Sequence, residues 1–596
     1  MNFGPLRLLT ALRAMIAALL VAFGIVLYLS FGKKEEDPVR IRLTEPAAPT
    51  GEQVVDLSDH FDIQGTKGGT DSFRMMAQQV TGVVGDKKIL KGVHLEVFGE
   101  GGQRITLSGA TGQFDLADRR AQLAGDVLVE GKRGFRLKTS SLYYDGQRDM
   151  IFTPDEITFQ TEGVSGRGRG LNYLPRTELL KIPSDVRVTA AAASGKPVEI
   201  ISGDMTLGLR ENDVIFNDSV VLTRGVERFA GNYLKAILDE SRKRLVSIKA
   251  YGQVSTSFLS GRGNELVNLK ADSLQVDFSP AGATPDTLSA RGNCSLESQG
   301  MTATSESLQA EAGTQRISLR GDPVVVDSRT RIAAQEIDLR AAERGLDARG
   351  DVKSSFHPGV TGDAAGSPSY FSGKEPVYFQ ASSLVVEDGG NVARYSGSAR
   401  GWQGDDSIQA EDIVLSFSDR RMKAFRNVLC RFLETPAPAA GGRPTPPAPT
   451  VIVADSMDYD EAEGTIHYRG AVKLTRQAST ILGDRMHVTL TEASSGRRTV
   501  DRVLAEGGVR FTHLANTGSA DHLIYAPLSQ LAEMRQDAGL AEVVDQTNGR
   551  VLRGKTLTFD LAGNRVLTET TEGGRTWISL SQKDKDGRGL EPKIGH

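Results

Sequence analysis

The most constraining feature of the 596-residue sequence is a short pattern that returns at a regular interval. A Gly or Ala is followed by two mostly polar residues, then Leu, Met or Ile, then any residue and a strand former. The clearest copies, which we call the signature, begin at Gly203, Ala271, Ala334, Ala381, Ala410, Ala454, Gly483, Ala520 and Gly554. When weaker copies are included, four pairs of neighbouring copies are separated by the same number of residues. These pairs begin at 139 and 168, 305 and 334, 381 and 410, and 454 and 483. Such a period is typical of stacked repeats, in which one unit cannot bury its apolar face alone.

Between the signatures, apolar and polar residues alternate with period two, and no long stretch keeps the helical period of about 3.6. The sequence therefore predicts an all-β chain. A second element, apolar-x-apolar-x-Gly-x-Val-x-apolar, runs for example from Ile466 to Leu474, with Gly470 on the apolar face. A glycine inside a strand offers nothing to pack, so its return predicts a bend where a side chain would clash. The alternate positions, such as His467 and Lys473, are expected to face solvent.

A Pro-rich stretch lengthens one repeat. The signatures at Ala410 and Ala454 begin farther apart than one period, and the length of Thr435–Thr450 (TPAPAAGGRPTPPAPT) matches the excess to within a single residue. This arithmetic favours a loop inserted in one repeat, with an interdomain linker as the alternative.

The amino terminus predicts a membrane anchor. Ala14–Gly32 carries no charge along its whole length, and as a helix it spans about 28 Å. Because charged residues from Lys33 follow directly, without a small-x-small cleavage site, an uncleaved anchor is favoured over a signal peptide. Basic residues flank both ends, but a long following domain translocates largely regardless of them.

The motifs of catalysis and metal binding are missing from the sequence: there is no GxSxG, P-loop, HExxH or CxxC, and the formal net charge is only −4. We predict no catalytic residues, metal, cofactor or nucleic-acid partner. His513 and His522 are interpreted as solvent-facing strand residues rather than ligands of a shared metal. Asp458–Gly464 is interpreted as a polar hairpin turn rather than a calcium loop, and Cys294 and Cys430 as buried free thiols.

Two longer stretches resemble a known family. GDVLVEGKRGFRLKTSSLYYDGQRDMIFTPDEITF and GVSGRGRGLNYLPRTELLKI, behind one membrane anchor, resemble LptC, the anchored periplasmic component of lipopolysaccharide export, over roughly residues 1–190. VIVADSMDYDEAEGTIHYRGAVKLTRQASTILGDRMHVTL resembles the OstA-like repeat of LptA, the soluble bridge component, and weaker versions cover about residues 195–575. The chain is several times longer than a usual LptC.

The resemblance implies an extended, stacked β-jellyroll (β-taco) solenoid whose apolar groove carries lipid A acyl chains. The implied partners are lipopolysaccharide, an inner-membrane lipopolysaccharide export ABC transporter and an outer-membrane lipopolysaccharide assembly protein, with a separate LptA left open. The implied location is the inner membrane, single-pass, with the carboxyl-terminal region in the periplasm. The candidate groove residues are Val451, Val453, Met457, Ile466, Tyr468, Val472, Leu474, Val503, Val509 and Phe511.

The alternation of apolar and polar residues does not decide whether the interior is an open groove or is filled by side chains. Three functions therefore remain: a lipid conduit, a structural envelope tether with a filled core, and a polysaccharide-processing β-helix enzyme. The enzyme is disfavoured because clustered carboxylates and aromatic sugar platforms are missing from the sequence. The expected organisation is an anchor at 1–32, a polar linker at 33–56, an LptC-like jellyroll at 57–190, OstA-like repeats at 195–434, the insertion or linker at 435–450, LptA-like repeats at 451–575 and a polar tail at 576–596.

Overall fold

The computed structural model describes residues 60–579, apart from 68–69, 85–86, 99–103, 116, 132–134, 162, 192–195, 209, 240–244, 260–265, 280–284, 299, 341–342, 358–374, 435–447, 493–497 and 570–574. The predicted anchor at 1–32 and linker at 33–56 lie outside the described residues. Within the described part of the chain, no helix is long and apolar enough to cross a membrane. Its regular structure is β-strand, with one 3-10 turn at Asp388–Gly390.

The chain divides into two compact units. The amino-terminal unit takes in the described residues up to 298 together with 304–317, and the carboxyl-terminal unit takes in 300–303 and 318–579. The strands of the first unit are β1 Phe61–Lys67, β2 Thr70–Val84, β3 Lys87–Phe98, β4 Arg104–Asp115, β5 Arg120–Glu130, β6 Arg136–Asp145, β7 Met150–Thr161, β8 Val164–Leu174, β9 Leu179–Ile182, β10 Ser184–Ala190, β11 Val198–Ser202, β12 Asp204–Gly208, β13 Asp213–Arg224, β14 Glu227–Leu238, β15 Leu245–Leu259, β16 Leu266–Phe278 and β17 Pro285–Ser298.

The division falls within β18 Met301–Glu311 and β19 Arg316–Arg320. The strands of the carboxyl-terminal unit are β20 Val324–Val326, β21 Thr330–Ala333, β22 Glu336–Arg340, β23 Gly345–Phe356, β24 Val377–Glu387, β25 Val392–Gln403, β26 Asp406–Ser416, β27 Arg421–Glu434, β28 Ala448–Asp460, β29 Thr465–Arg476, β30 Ser479–Glu492, β31 Arg498–His513, β32 Asn516–Ala526, β33 Leu531–Arg535, β34 Ala541–Asp545, β35 Arg550–Gly554, β36 Thr556–Asp560, β37 Arg565–Glu569 and β38 Arg575–Ser579. The all-β prediction is confirmed for the described residues.

Most long strands pair antiparallel with the next strand along the chain, so each unit is built from successive hairpins. Many of these strand pairs also show a register shift near the middle of the strands. On β29 the register shifts between Arg469 and Val472, so that Gly470 and Ala471 together face the single residue Asp484 of β30. This is a β-bulge, in which the extra residue bends the strand and increases its twist. The predicted bend at the glycine element is confirmed here.

The sequence predicted that the glycine bends the strand because it lies on the inward face, and the structure gives a different reason. Gly470 has φ +83° and Ala471 has φ +42°, so both residues lie in the left-handed region that L side chains rarely adopt. Gly470 is also partly exposed instead of lying on the inward face. The glycine therefore marks a corner of the strand, and both halves of the strand turn their apolar residues to the same interior.

Strands are present at three of the expected domain boundaries. β10 pairs with β11, which follows residues 190–195 in the chain. Ala448, Pro449 and Thr450 belong to β28 and pair with Glu434, Leu433 and Phe432. Residues 576–579 belong to β38. The expected domain organisation stays a prediction.

Candidate functional site

The interior of the carboxyl-terminal unit is lined by the alternation that the sequence shows on β29. Ile466, Tyr468, Val472 and Leu474 are at most 1% exposed. The residues that alternate with them on the same strand, such as His467 and Lys473, are partly or fully exposed. The four side chains point to the interior because side chains alternate across a strand, and they keep the same phase on both sides of the bulge.

The other candidate residues divide into two groups. Met457, Val503, Val509 and Phe511 are at most 2% exposed and line the same interior. Val453 is 40% exposed and Val451 is partly exposed, so the predicted inward orientation of these two residues is wrong. The residues of β28 that point inward are instead Thr450, Ile452 and Ala454, all at most 3% exposed.

The error at Val451 and Val453 has a simple cause. The run Val451-Ile452-Val453-Ala454 is apolar at every position, so period two is satisfied by either phase. The register with β29 decides between them, since Ile452 pairs with the buried Leu474 and Val453 pairs with the exposed Lys473. Sequence reasoning also missed Tyr459, Ile481, Met486, Val488, Ala505, Leu523 and Tyr525, which are at most 3% exposed. The period-two pattern around each signature could have identified them.

The interior is closely packed by the protein's own side chains. Phe379 of β24 stacks on Tyr395 of β25, with ring centroids 4.8 Å apart. The Tyr395 hydroxyl lies 2.7 Å from Ser354 Oγ of β23, and burial raises the pKa of this tyrosine. Further along the chain, Phe511 and Phe559 meet edge to face at 5.4 Å. Of the open and filled alternatives, the described residues show a filled interior.

The amino-terminal unit has an interior of the same kind. Phe73 of β2 packs against Phe114 of β4 and Tyr144 of β6, with ring centroids 5.9 and 5.6 Å apart. All three are buried, and burial raises the pKa of Tyr144 to about 12. An aromatic cluster therefore crosses the interior in the part of the chain that resembles LptC.

The polar residues singled out in the sequence are placed as follows. His513 is buried and lies 2.8 Å from Ser479 Oγ, so the expectation that it faces solvent is wrong. His522 is partly exposed and pairs with Asp537 at 2.9 Å. Among the described residues, no group of three His, Cys, Asp or Glu side chains is arranged to hold a metal ion.

The turn after β28 is a polar hairpin turn, as the sequence predicted. Asp460 Oδ1 accepts hydrogen bonds from the backbone amides of Ala462 and Glu463, at 3.0 and 3.2 Å. Cys294 and Cys430 are buried free thiols, which confirms that prediction too. Burial raises the pKa of the Cys294 thiol to about 11, so this thiol is protonated and unreactive at neutral pH.

Comparison with known families assigns two parts of the chain. Residues 18–191 match the family described as lipopolysaccharide-assembly, LptC-related. Residues 451–565, which include the interior of β28–β32, match the family described as LptA/(LptD N-terminal domain) LPS transport protein. Both segments are similar to the LptC/LptA, or OstA-like, family of lipopolysaccharide transport proteins. The resemblance seen in the sequence is confirmed over these two segments.

Solved structures and curated proteins add little to this assignment. The crystal structure of LptH, the LptA homologous periplasmic component of the lipopolysaccharide transport device from Pseudomonas aeruginosa, is 12% identical, with a TM-score of 0.18 over 21% of this chain and 83% of its own. The tricorn protease is 10% identical, with a TM-score of 0.10 over 82% of this chain and 62% of its own. Neither similarity is high enough to support an inference about this chain. No curated protein matches the chain.

Proposed function

We propose that the chain is a membrane-anchored periplasmic bridge that carries lipopolysaccharide through its apolar interior, from an inner-membrane ABC transporter towards the outer membrane. The observation that carries the proposal is the inward apolar face of β28–β32, which coincides with the LptA-type match at 451–565. The LptC-type match at the other end supports the membrane end of the bridge.

The proposed topology follows from the sequence. Ala14–Gly32 is the single anchor in the inner membrane, and the chain from Lys33 onward lies in the periplasm. The proposed partners are lipopolysaccharide, held by its acyl chains, the inner-membrane export transporter and the outer-membrane assembly protein. A separate LptA is an open further partner, because this chain itself carries both an LptC-type and an LptA-type segment. The protein acts as a carrier and not as an enzyme.

The energetics limit how such an interior can work. Each buried methylene contributes about 0.8 kcal/mol, so several acyl chains would be held by more than about 10 kcal/mol if fully enclosed. A carrier that bound so tightly at one point would stall. Repeats of equal length present similar surroundings at successive positions, and movement is then driven by the transporter's ATP hydrolysis rather than by rising affinity.

A structural envelope tether is the second candidate function. The packing of Phe379 on Tyr395, and the burial of Ile466, Val472 and Leu474 to 0% exposure, favour it specifically, since a filled interior stabilises a fold without any ligand. The two candidates differ in whether lipid enters this interior in cells.

Photo-crosslinking distinguishes them. A photoreactive phenylalanine at Ile466 is expected to capture lipopolysaccharide in cells, whereas one at Lys473, on the opposite face of the same strand, is not. A third variant at Tyr468 keeps an aromatic side chain in the interior and serves if the Ile466 variant folds poorly. Equal capture on both faces, or no capture at either interior position while export continues, contradicts the carrier and supports the tether.

A further inference from the structure

The last turns of the LptA-type segment bring the two edges of the interior together. We call the edge formed by the turns at 477–478, 514–515 and 546–549 the first rim, and the edge formed by the turns at 461–464, 527–530 and 561–564 the second rim. Asn516 on the first rim donates a hydrogen bond from Nδ2 to Asn564 Oδ1 on the second rim, at 3.0 Å. The two residues are 1% and 5% exposed. This hydrogen bond ties one rim to the other.

Aromatic side chains from strands that end at these two rims also meet across the interior. Phe559 of β36 meets Phe511 at 5.4 Å and His513 at 5.7 Å between ring centroids, both edge to face. Phe511 and His513 belong to β31, which ends at the first rim, and Phe559 lies one residue before the end of β36 at the second rim. Rings at these separations are in contact. An acyl chain can pass this position only if Phe559 moves away from β31, which also separates the rims.

The asparagine pair leaves two polar atoms unused. Asn516 Oδ1 and Asn564 Nδ2 are buried and lack a hydrogen-bond partner among the described residues. One is an acceptor and the other a donor, and burying either without a partner is unfavourable. A hydroxyl or an amide satisfies both, because each of these groups donates and accepts. A phosphate or carboxylate suits the pair poorly, since its oxygens would face the acceptor oxygen of Asn516.

We propose that Asn516 and Asn564 form a ligand-operated clasp at the carboxyl-terminal end of the interior. The clasp is closed when the asparagines bond to each other, and it opens when hydroxyl or amide groups beside the acyl chains of an amphiphile replace that bond. Opening the rims lets Phe559 leave Phe511 and admits the acyl chains past the last turns. This inference rests on the proposed carrier function.

Linking the rims tests the clasp in cells with the full chain. The double variant Asn516→Cys, Asn564→Cys, joined by a disulfide or a reducible bifunctional thiol reagent, is expected to keep lipopolysaccharide capture at Ile466. Capture by a photoreactive phenylalanine at Val566, beyond the clasp and fully buried, is expected to fall about tenfold and to return on reduction. The native Cys294 and Cys430 are buried, and peptide mapping confirms which thiols are joined.

The outcomes separate the clasp from the carrier function. Undiminished capture at Val566 in the linked protein overturns the clasp, and so does an equal loss at Ile466 and Val566 on linking. Absence of capture at Ile466 in the unlinked protein overturns the carrier function instead.

The chemistry of the ligand is tested separately with the purified full-length chain in nanodiscs. The probes are an N-acyl glucosamine and the methyl ester of the same fatty acid. The chain is expected to prefer the glucosamine probe by about tenfold, the worth of one or two hydrogen bonds, and Asn564→Ala is expected to abolish the preference. Ser519→Ala, at an exposed position of β32, is the matched control. A preference that survives Asn564→Ala contradicts the role of the asparagines.

Discussion

Asp484 Oδ2 lies 2.6 Å from the position that a Cβ on Gly507 would take, so the carboxylate of one strand occupies the space left by the missing side chain of the next. Asp484 is the second residue of a signature, and Gly507 is the glycine of the following corner. The same relationship joins Asp272 with Gly292 and Ser382 with Gly397. The two recurring sequence elements are therefore the two halves of one contact between neighbouring strands.

This contact predicts different costs for two adjacent substitutions. Gly507 and Gly508 both have positive φ, of +79° and +55°, but a Cβ on Gly508 meets nothing within 4 Å. Gly507→Ala is expected to reduce the free energy of unfolding by about 1–3 kcal/mol more than Gly508→Ala, because only the first overlaps Asp484. Urea denaturation of both variants checks this. Equal losses would show that backbone strain alone requires the glycine.

Which residues of β28 point inward can be tested by substituting two adjacent residues. Ile452→Ala is expected to cost about 2–5 kcal/mol, because Ile452 is 0% exposed and its loss leaves a cavity. Val453→Ala is expected to change stability by less than about 0.5–1 kcal/mol, since Val453 is 40% exposed. Denaturation midpoints of the two variants give the comparison. A larger loss at Val453 would restore the orientation expected from sequence.

Acid is expected to destabilise the carboxyl-terminal unit through His513. Burial lowers the pKa of His513 below its ordinary value of 6.5, and a nearby backbone carbonyl at Leu561 opposes this only in part. The unfolded chain therefore takes up a proton as the pH falls below about 6.5, where the folded chain resists it, so stability is lost on acidification by up to about 1.4 kcal/mol per pH unit.

The measurement compares urea midpoints at about pH 7.5 and pH 5 for the wild type and His513→Gln. The variant is expected to show a smaller loss on acidification, although His487, whose pKa is lowered by burial and by the nearby His467, retains a dependence of the same sign. An identical pH dependence in both proteins would contradict the assignment to His513.

Removing the Pro-rich segment is expected to leave stability nearly unchanged if the strand residues are kept. Glu434 and Ala448 pair directly, so residues 435–447 connect the ends of a hairpin and a short Gly/Ser loop can replace them. Extending the deletion through Thr450, which is 0% exposed, is expected to destabilise the unit. Thermal unfolding of both deletions is the check, and loss of folding in the shorter one would make the segment part of the repeat.

The proposed topology predicts that alkaline phosphatase fused after residue 592 is active, since the enzyme folds only outside the cytoplasm. A cytoplasmic reporter at the same position is expected to be inactive. The reverse result would place the carboxyl-terminal region inside the cell, in agreement with the basic residues that follow Gly32.

Parts of the fold and the site could be predicted because they depend on local alternation. On β29, polar residues at 467, 469 and 473 mark the outer face, so the sequence places Ile466, Tyr468, Val472 and Leu474 in the interior, where the structure has them. On β28 the run Val451–Ala454 has no polar residue that identifies the outer face. Only the pairing with β29 decides which of these residues point inward. The prediction for His513 is wrong because a histidine at a strand end fits either face, and its partner Ser479 is distant in the sequence.

The sequence by itself determined the all-β repeat, the corners at the glycine elements and the inward face of β29, since these follow from steric preferences and periodicity along a single strand. Tertiary structure alone decided that the interior is filled and that its rims meet at Asn516 and Asn564. The physical reason is that these contacts depend on how far apart the two halves of each bent strand lie. No local pattern specifies that distance, because it is set by side chains such as Phe511 and Phe559, which are distant in the sequence and pack across the interior.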